Sequence, residues 1–158
     1  MKQKVFLAIT DPEILRPMEN ILGKLGISCE WDFKVVVQDD IAGFILKKEC
    51  DFIIIDICLV VNGIEHYYGL EIAHELKKRN PEKLVIGVTC HASDLKQEAK
   101  QALMDGLIHF DPQRPSITNL HSMFRAELGD WPERIEGNPI SDRIPVCRNI
   151  VEFILNRV

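Results

Sequence analysis

The sequence predicts an α/β fold, a doubly wound parallel sheet of five strands with helices on both faces. Short apolar runs alternate with amphipathic helical patterns as far as residue 110. Two of these runs, Phe52–Ile55 and Leu84–Val88, are apolar on both faces of any strand, which is typical of strands buried within a parallel sheet. The order of elements is β-α-β-α-β-α-β-α-β, and right-handed crossovers turn that order into a doubly wound sheet.

Five segments are predicted to be the strands. They are Val5–Ile9, Val35–Val37, Phe52–Ile57, Leu84–Val88 and Leu107–Phe110. Four helices lie between them, because apolar residues recur there at the spacing of one helix face. Those faces run over residues 14–25, 41–46, 70–76 and 95–103.

Residues at the helix ends predict where the first helix begins. Asp11 can cap it and Pro12 suits its first turn. Pro17 conflicts with this assignment because it removes a backbone donor in the helix interior, so a kink or a later start is expected.

Similar signals mark the ends of the third and fourth helices. The third ends in basic residues, which the helix dipole favours, followed by Pro81. Either Ser93 or Asp94 is expected to cap the fourth helix, and Gly106 is expected to close it.

The whole chain, residues 1–158, is predicted to be a single domain. Residues 1–115 suffice for its five-stranded core. An amphipathic pattern then predicts an extra helix over 116–128, and the Gly- and Pro-containing segment 129–144 predicts a long loop. A closing helix is expected over 145–157.

Composition excludes several classes of protein. The chain has 158 residues, a formal net charge of −5 and a pI of about 5.5, which argues against a direct nucleic-acid binder that works by net charge. Its apolar runs are far too short to span a membrane. The five cysteines are scattered without a CxxC spacing, so neither a disulfide framework nor a structural zinc site is expected. A cytoplasmic protein with reduced thiols is therefore predicted.

The carboxyl ends of the strands are where a fold of this kind binds ligands. Thr10 and Asp11 follow the first strand, Asp56 ends the third, and Thr89 follows the fourth. Asp56 is the most informative, because a carboxylate after four apolar residues is expected to be buried and must be paired, hydrogen-bonded or metal-bound.

Five stretches of the sequence carry a family resemblance. They are Lys4–Ile14, Asp51–Asp56, Gly69–Ile72, Leu84–Asp94 and Ala102–Gly106. In this order they resemble the response-regulator receiver domain, the phospho-acceptor module of two-component signalling. The resemblance covers about residues 1–115 and implies a flavodoxin-like sheet.

The resemblance also implies roles for individual residues. Asp56 matches the phosphorylated carboxylate, and Thr89 matches the hydroxyl residue that contacts the phosphoryl group. Mg²⁺ would be the cofactor, held by Asp56, the backbone carbonyl of Cys58 and an acidic residue after the first strand. The implied partners are a histidine kinase or phosphotransfer protein and a downstream protein, with no membrane. A homodimer is compatible with the family.

Three positions depart from the family pattern. An alignment without gaps puts Ile9 and Thr10 on the acidic pair that holds the metal, whereas a shift by one residue makes Asp11 a metal ligand. Arg114 is the substitute for the family's Lys, although Arg differs from Lys in reach and geometry. The loop after Asp56 is also long, with Gly69 thirteen positions further along the chain.

These departures leave two alternatives to a phosphorylated receiver. The first is an atypical pseudo-receiver, a protein-interaction module that acts without phosphorylation. The second is a small α/β enzyme that uses Cys58 or Cys90 as its nucleophile, although the sequence places no base beside either thiol. We expect a phospho-acceptor rather than an enzyme, with at most self-dephosphorylation.

Overall fold

The structure is a computed structural model that describes residues 4–24, 26–64, 66–110 and 124–126. Its strands are β1 (Lys4–Ala8), β2 (Ser28–Glu30), β3 (Phe52–Asp56), β4 (Leu84–Thr89), β5 (Gly106–Phe110) and β6 (Phe124–Ala126). Its helices are α1 (Pro12–Lys24), α2 (Ile41–Leu46), α3 (Tyr68–Arg79) and α4 (Ala92–Gln101), with a 3₁₀ helix at Phe33–Val37.

The described strands form one sheet in the order β2-β1-β3-β4-β5-β6. The first five strands are mutually parallel, which confirms the doubly wound parallel sheet. The central strand β3 is buried at every position, as expected for a strand with helices on both sides. Its last residue, Asp56, therefore lies at the middle of the carboxyl edge, next to β4.

The prediction of the second strand is wrong. Val35–Val37 belongs to the 3₁₀ helix, and the strand that pairs with β1 is Ser28–Glu30. Asp32 starts the 3₁₀ helix, because its carboxylate accepts a hydrogen bond from the amide of Lys34 at 2.9 Å. Only Val35 of the three valines is buried there, so a β-branched run was mistaken for a strand.

Helix α1 begins at Pro12, as predicted. The Asp11 carboxylate accepts a hydrogen bond from the amide of Glu13 at 3.0 Å, and its carbonyl accepts one from Leu15 at 2.9 Å. The alternative of a later start is wrong, because the helix runs through Pro17 without interruption. Packing of the buried face outweighs the single backbone hydrogen bond that proline removes. That face consists of Ile14, Leu15, Met18 and Leu22.

The predicted limits of α4 are also wrong. The residue before its first turn is His91, whose carbonyl accepts from the amides of Asp94 and Leu95, both at 3.1 Å. Ser93 lies inside that turn. Gly106 does not close the helix but begins β5, and the chain turns instead at Leu103, with φ at 62°.

The prediction of an extra helix over residues 116–128 is wrong for Phe124–Ala126, because these residues form the strand β6. This strand is antiparallel to β5, with His109 opposite Arg125, so a sixth strand is added to the five parallel ones. The rest of that predicted helix, the loop 129–144 and the closing helix 145–157 lie outside the described residues.

A buried ion pair lies near the amino ends of β4 and β5, at the edge opposite Asp56. The Lys77 ammonium is 2.9 Å from the Asp105 carboxylate, and both side chains are fully buried. Lys77 also donates to the carbonyl of Lys83, and the amide of Val85 donates to Asp105, both at 2.8 Å. The pair therefore ties α3 to both strands.

Among the helices of the described residues, none is long and apolar enough to cross a membrane.

Candidate functional site at the carboxyl edge

A cleft of about 680 Å³ opens at the carboxyl edge of the sheet, above the end of β3. Its walls come from three loops, after β1, β3 and β4. The lining residues are Thr10, Asp11, Ile14, Asp56, Cys58, Val60, His66, Tyr67, Thr89, Cys90 and His91. The structure thus brings together four of the predicted site residues, as expected for loops at one edge of a parallel sheet.

Asp56 is almost completely buried at the base of this cleft, with 6% of its surface exposed. Its carboxylate accepts a hydrogen bond from the amide of Cys58 at 2.9 Å. Burial raises the pKa of Asp56 to about 6, which the Cys58 amide opposes and the negative charge of Asp11 reinforces. The environment of the Asp56 carboxylate therefore favours binding of a proton or a cation.

Thr89 ends β4 beside Asp56 and is also buried, with 1% of its surface exposed. Its hydroxyl oxygen accepts a hydrogen bond from the amide of His91 at 3.1 Å. The Cys58 sulfur lies 3.8 Å from the same oxygen. The position of this oxygen is therefore fixed by contacts with the loops that follow β3 and β4.

Thr10 and Asp11, which follow the first strand, line the cleft, whereas Ile9 is buried in the core. Asp11 both starts α1 and places negative charge near Asp56.

The donors around Asp56 fit a weakly held Mg²⁺. In the described part of the chain, no group of three or more His, Cys, Asp and Glu residues could hold a metal ion. Mg²⁺ needs fewer protein ligands, because it is commonly bound by one or two carboxylates and retains several waters. The like charges of Asp11 and Asp56, which act on each other across the cleft, are what a cation would neutralise.

The long loop after Asp56, which the sequence places beside the predicted site, supplies one wall of the cleft. A tight turn at Asn62–Gly63 folds it back, with hydrogen bonds between Val61 and Ile64 in both directions at 3.0 and 3.3 Å. Both turn residues have positive φ, at 54° and 75°. Asn-Gly between two β-branched residues is a strong hairpin signal and would have revealed the turn. After it, His66 and Tyr67 line the cleft.

The loop rejoins the fold directly against Asp56. The amide of Gly69 donates to the carbonyl of Ile57 at 3.1 Å, at the start of α3. A Cβ on Gly69 would clash with the carbonyl oxygen of Asp56 and would lie 2.6 Å from the Cα of Ile57. Only glycine allows α3 to approach the end of β3 this closely.

Replacing Gly69 with Ala is therefore expected to lower the free energy of unfolding by about 1 to 3 kcal/mol, because backbone must move to admit the methyl group. Urea unfolding followed by circular dichroism measures this. The matched control is Gly23→Ala in α1, where an added Cβ has open space. Helix propensity predicts a neutral or slightly stabilising effect there. A Gly69→Ala protein as stable as the wild type would contradict the close approach.

Arg114 and Cys90 are the two remaining residues with a predicted role. Arg114 lies outside the described residues. Cys90 is exposed at the mouth of the cleft, and partial burial raises the pKa of its thiol, an effect that the charges of Asp56 and Asp11 reinforce. A raised pKa leaves less of the nucleophilic thiolate, which disfavours the thiol-enzyme alternative.

Comparisons with solved structures show which fold this is. A response regulator from Thermotoga maritima is 16% identical and superposes with a TM-score of 0.56, over 72% of this chain and 88% of that one. A CheY-like receiver domain protein from Methanospirillum hungatei is 23% identical with a TM-score of 0.53, over 73% and 86%. The fold is that of a response-regulator receiver domain.

A further structure with the receiver fold is the BeF₃-activated DrrB receiver domain, which is 21% identical with a TM-score of 0.52. The match covers 75% of this chain and 92% of that one. No family model matches the sequence, and no curated protein matches it either. The receiver fold is therefore shared without close sequence similarity.

Proposed function

We propose that the protein is a receiver of two-component phosphorelay signalling that accepts a phosphoryl group on Asp56. The supporting observation is a buried carboxylate at the centre of the carboxyl edge, beside the fixed hydroxyl of Thr89 and at the base of an open cleft. A buried Asp with a perturbed pKa in a cleft is typical of a functional group rather than a structural one.

Transfer of a phosphoryl group to Asp56 requires from the protein mainly a positioned nucleophile and stabilisation of negative charge. One carboxylate oxygen of Asp56 forms a bond to phosphorus, and the bond between phosphorus and the donor's leaving atom breaks, so that the donor leaves with that electron pair. With a pKa of about 6, Asp56 is mostly ionised at neutral pH and available as the nucleophile. The Thr89 hydroxyl, which lines the same cleft, is proposed to donate to an oxygen of the phosphoryl group.

Mg²⁺ is the proposed cofactor and, when bound, neutralises charge on the phosphoryl oxygens. Asp11, Asp56 and the backbone carbonyl of Cys58 are the proposed ligands. Arg114 is the proposed cationic substitute for the family's Lys. The remaining function of the chain's own groups is to hold the Asp56 carboxylate and keep Thr89 in place beside it.

The partners follow from this role. We propose a histidine kinase or phosphotransfer protein as the donor and a downstream protein as the receiver of the signal, in the cytoplasm, without direct contact to nucleic acid. The relatives in fold are signalling domains, which supports a phospho-acceptor rather than an enzyme of independent metabolism. A single domain over residues 1–158 is part of the same proposal.

Incubation with acetyl phosphate and Mg²⁺ tests the proposal. We expect the intact mass to rise by one phosphoryl group in the wild type, because a small donor can enter the open cleft. Asp56→Asn is expected to abolish the adduct. The matched control is Asp39→Asn, an exposed carboxylate outside the cleft, which should leave the adduct unchanged. No adduct at saturating donor would contradict the proposal.

One observation favours the phosphorylation-independent alternative. Thr10 stands at the position of one member of the acidic pair, so only Asp11 joins Asp56 as a carboxylate lining the cleft in the described residues. If this set is too weak for Mg²⁺, the domain would signal by protein contacts alone. Absence of the adduct together with retained partner binding in Asp56→Asn would support that function.

A further inference from the structure

A phosphoryl group on Asp56 would create an imbalance of charge in the cleft. It would add negative charge to a space that already contains the Asp11 carboxylate. Among the described residues that line the cleft, none is Lys or Arg. The lining side chains that can carry positive charge are the imidazoles of His66 and His91.

His66 has a carboxylate neighbour on α3. Its Nε2 lies 3.3 Å from a carboxylate oxygen of Glu71 on the first turn of α3. Its ring also packs edge-on against Tyr68, with centroids 5.0 Å apart. Glu71 lines a neighbouring groove and is not among the residues that line the cleft. Because Nε2 contacts Glu71, Nδ1 is the ring nitrogen left to bind a group in the cleft.

His66 lies on the loop that leaves the end of β3 and lines the same cleft as Asp56. The Asn62–Gly63 turn folds the first part of this loop back. Beyond His66 the chain returns to β3, because Gly69 lies directly against the carbonyl of Asp56.

We propose that His66, oriented by Glu71, binds the phosphoryl group on Asp56 as an imidazolium. Nε2–H pairs with the Glu71 carboxylate and Nδ1–H donates to a phosphoryl oxygen, which requires both ring nitrogens to be protonated. The inference rests on the proposed phosphorylation of Asp56. It assigns to this loop a binding role that lies outside the aligned receiver motifs.

The rate of adduct formation from sub-saturating acetyl phosphate tests the inference. His66→Gln removes the charge and is expected to slow the reaction roughly three- to tenfold, the loss of one partly exposed charge-assisted hydrogen bond. Glu71→Gln should slow it less, because the imidazole remains. His66→Lys keeps a positive charge and should restore most of the rate. The matched control is His74→Gln, an exposed histidine on α3 that does not line the cleft and should have no effect.

A spectroscopic readout separates binding from a structural role. Nitrogen-detected NMR of the imidazoles should show the His66 ring moving to the doubly protonated form when Asp56 is phosphorylated, while His74 is unchanged. An adduct that forms at the wild-type rate in His66→Gln, with no change at His66 in the spectrum, would overturn the inference and leave phosphorylation of Asp56 standing. Slowing confined to His91→Gln would also overturn it. No adduct in the wild type would overturn both.

Discussion

Replacing Asp56 with Asn is expected to stabilise the folded protein by about 2 to 3 kcal/mol at about pH 8 in the absence of Mg²⁺, although it removes the proposed phospho-acceptor. The reason is that burial, reinforced by Asp11, raises the pKa of Asp56 from its ordinary value of 3.8 to about 6. Each unit of pKa difference corresponds to about 1.4 kcal/mol between the two protonation states. The amide oxygen of Asn can still accept from Cys58.

The pH dependence of this effect has a definite sign. The folded-state pKa is raised, so the native protein binds the proton more tightly than the unfolded chain. Stability from protonated Asp56 is therefore fully present below 3.8 and is lost as the pH rises through 6. Since Asn does not titrate, the advantage of Asp56→Asn should be small near pH 4 and reach its plateau above about pH 7.

Urea unfolding of both proteins across this pH range, with a chelator present, measures the effect. Asp39→Asn is the matched control, because that side chain is exposed and a surface carboxylate contributes little. An Asp56→Asn protein no more stable than the wild type at neutral pH would mean that Asp56 is not held in the desolvated environment described above. The stabilisation would show that function is maintained here at a cost in stability.

Replacing Lys77 with Met is expected to lower the free energy of unfolding by about 3 to 5 kcal/mol, because it removes the ammonium that pairs with the buried Asp105 carboxylate. Lys77 and Asp105 are fully buried and 2.9 Å apart. The Val85 amide would still donate to that carboxylate, but it carries no full positive charge. Thermal and urea unfolding measure the loss.

Two further variants separate the effect of the buried charge from other effects of the substitution. Lys78→Met changes the adjacent, exposed position of α3 and should have little effect on stability. Adding Asp105→Asn to Lys77→Met removes the buried negative charge and should recover a large part of the loss, since an amide oxygen can still accept from Val85. A double variant as unstable as Lys77→Met would show that the lost side-chain packing, not the buried charge, causes the destabilisation.

The strands that could be predicted from the sequence are those buried on both faces of the sheet. The strands β1, β3, β4 and β5 were found because continuous apolar runs are rare outside a helix-covered sheet. The edge strand β2 is only half-buried, so the residues Ser28–Glu30 carry no such run, and the valines that follow were chosen instead. The strand Phe124–Ala126 was missed because its apolar residues also fit a helical spacing.

The candidate site likewise contains residues that the sequence identifies and residues that only the structure reveals. Asp56 and Thr89 were identified because each directly ends a buried strand. The sequence left two alignments open after the first strand, one residue apart, and only the structure shows that Asp11 lines the cleft whereas Ile9 is buried. His66 reaches the cleft by a loop closure that only the Asn62–Gly63 turn signals. The Lys77–Asp105 pair joins residues 28 positions apart, beyond any local pattern.

Locating the phosphoryl group on the chain tests the central claim most directly. Protein treated with acetyl phosphate and Mg²⁺ is reduced with borohydride, which converts an aspartyl phosphate into homoserine and releases phosphate, and is then mapped by peptide mass spectrometry. We predict homoserine at position 56 in the wild type, and unmodified Asp39 in the same digest. Unmodified Asp56 under saturating donor, or homoserine at another aspartate, would contradict the assignment of Asp56 as the phospho-acceptor.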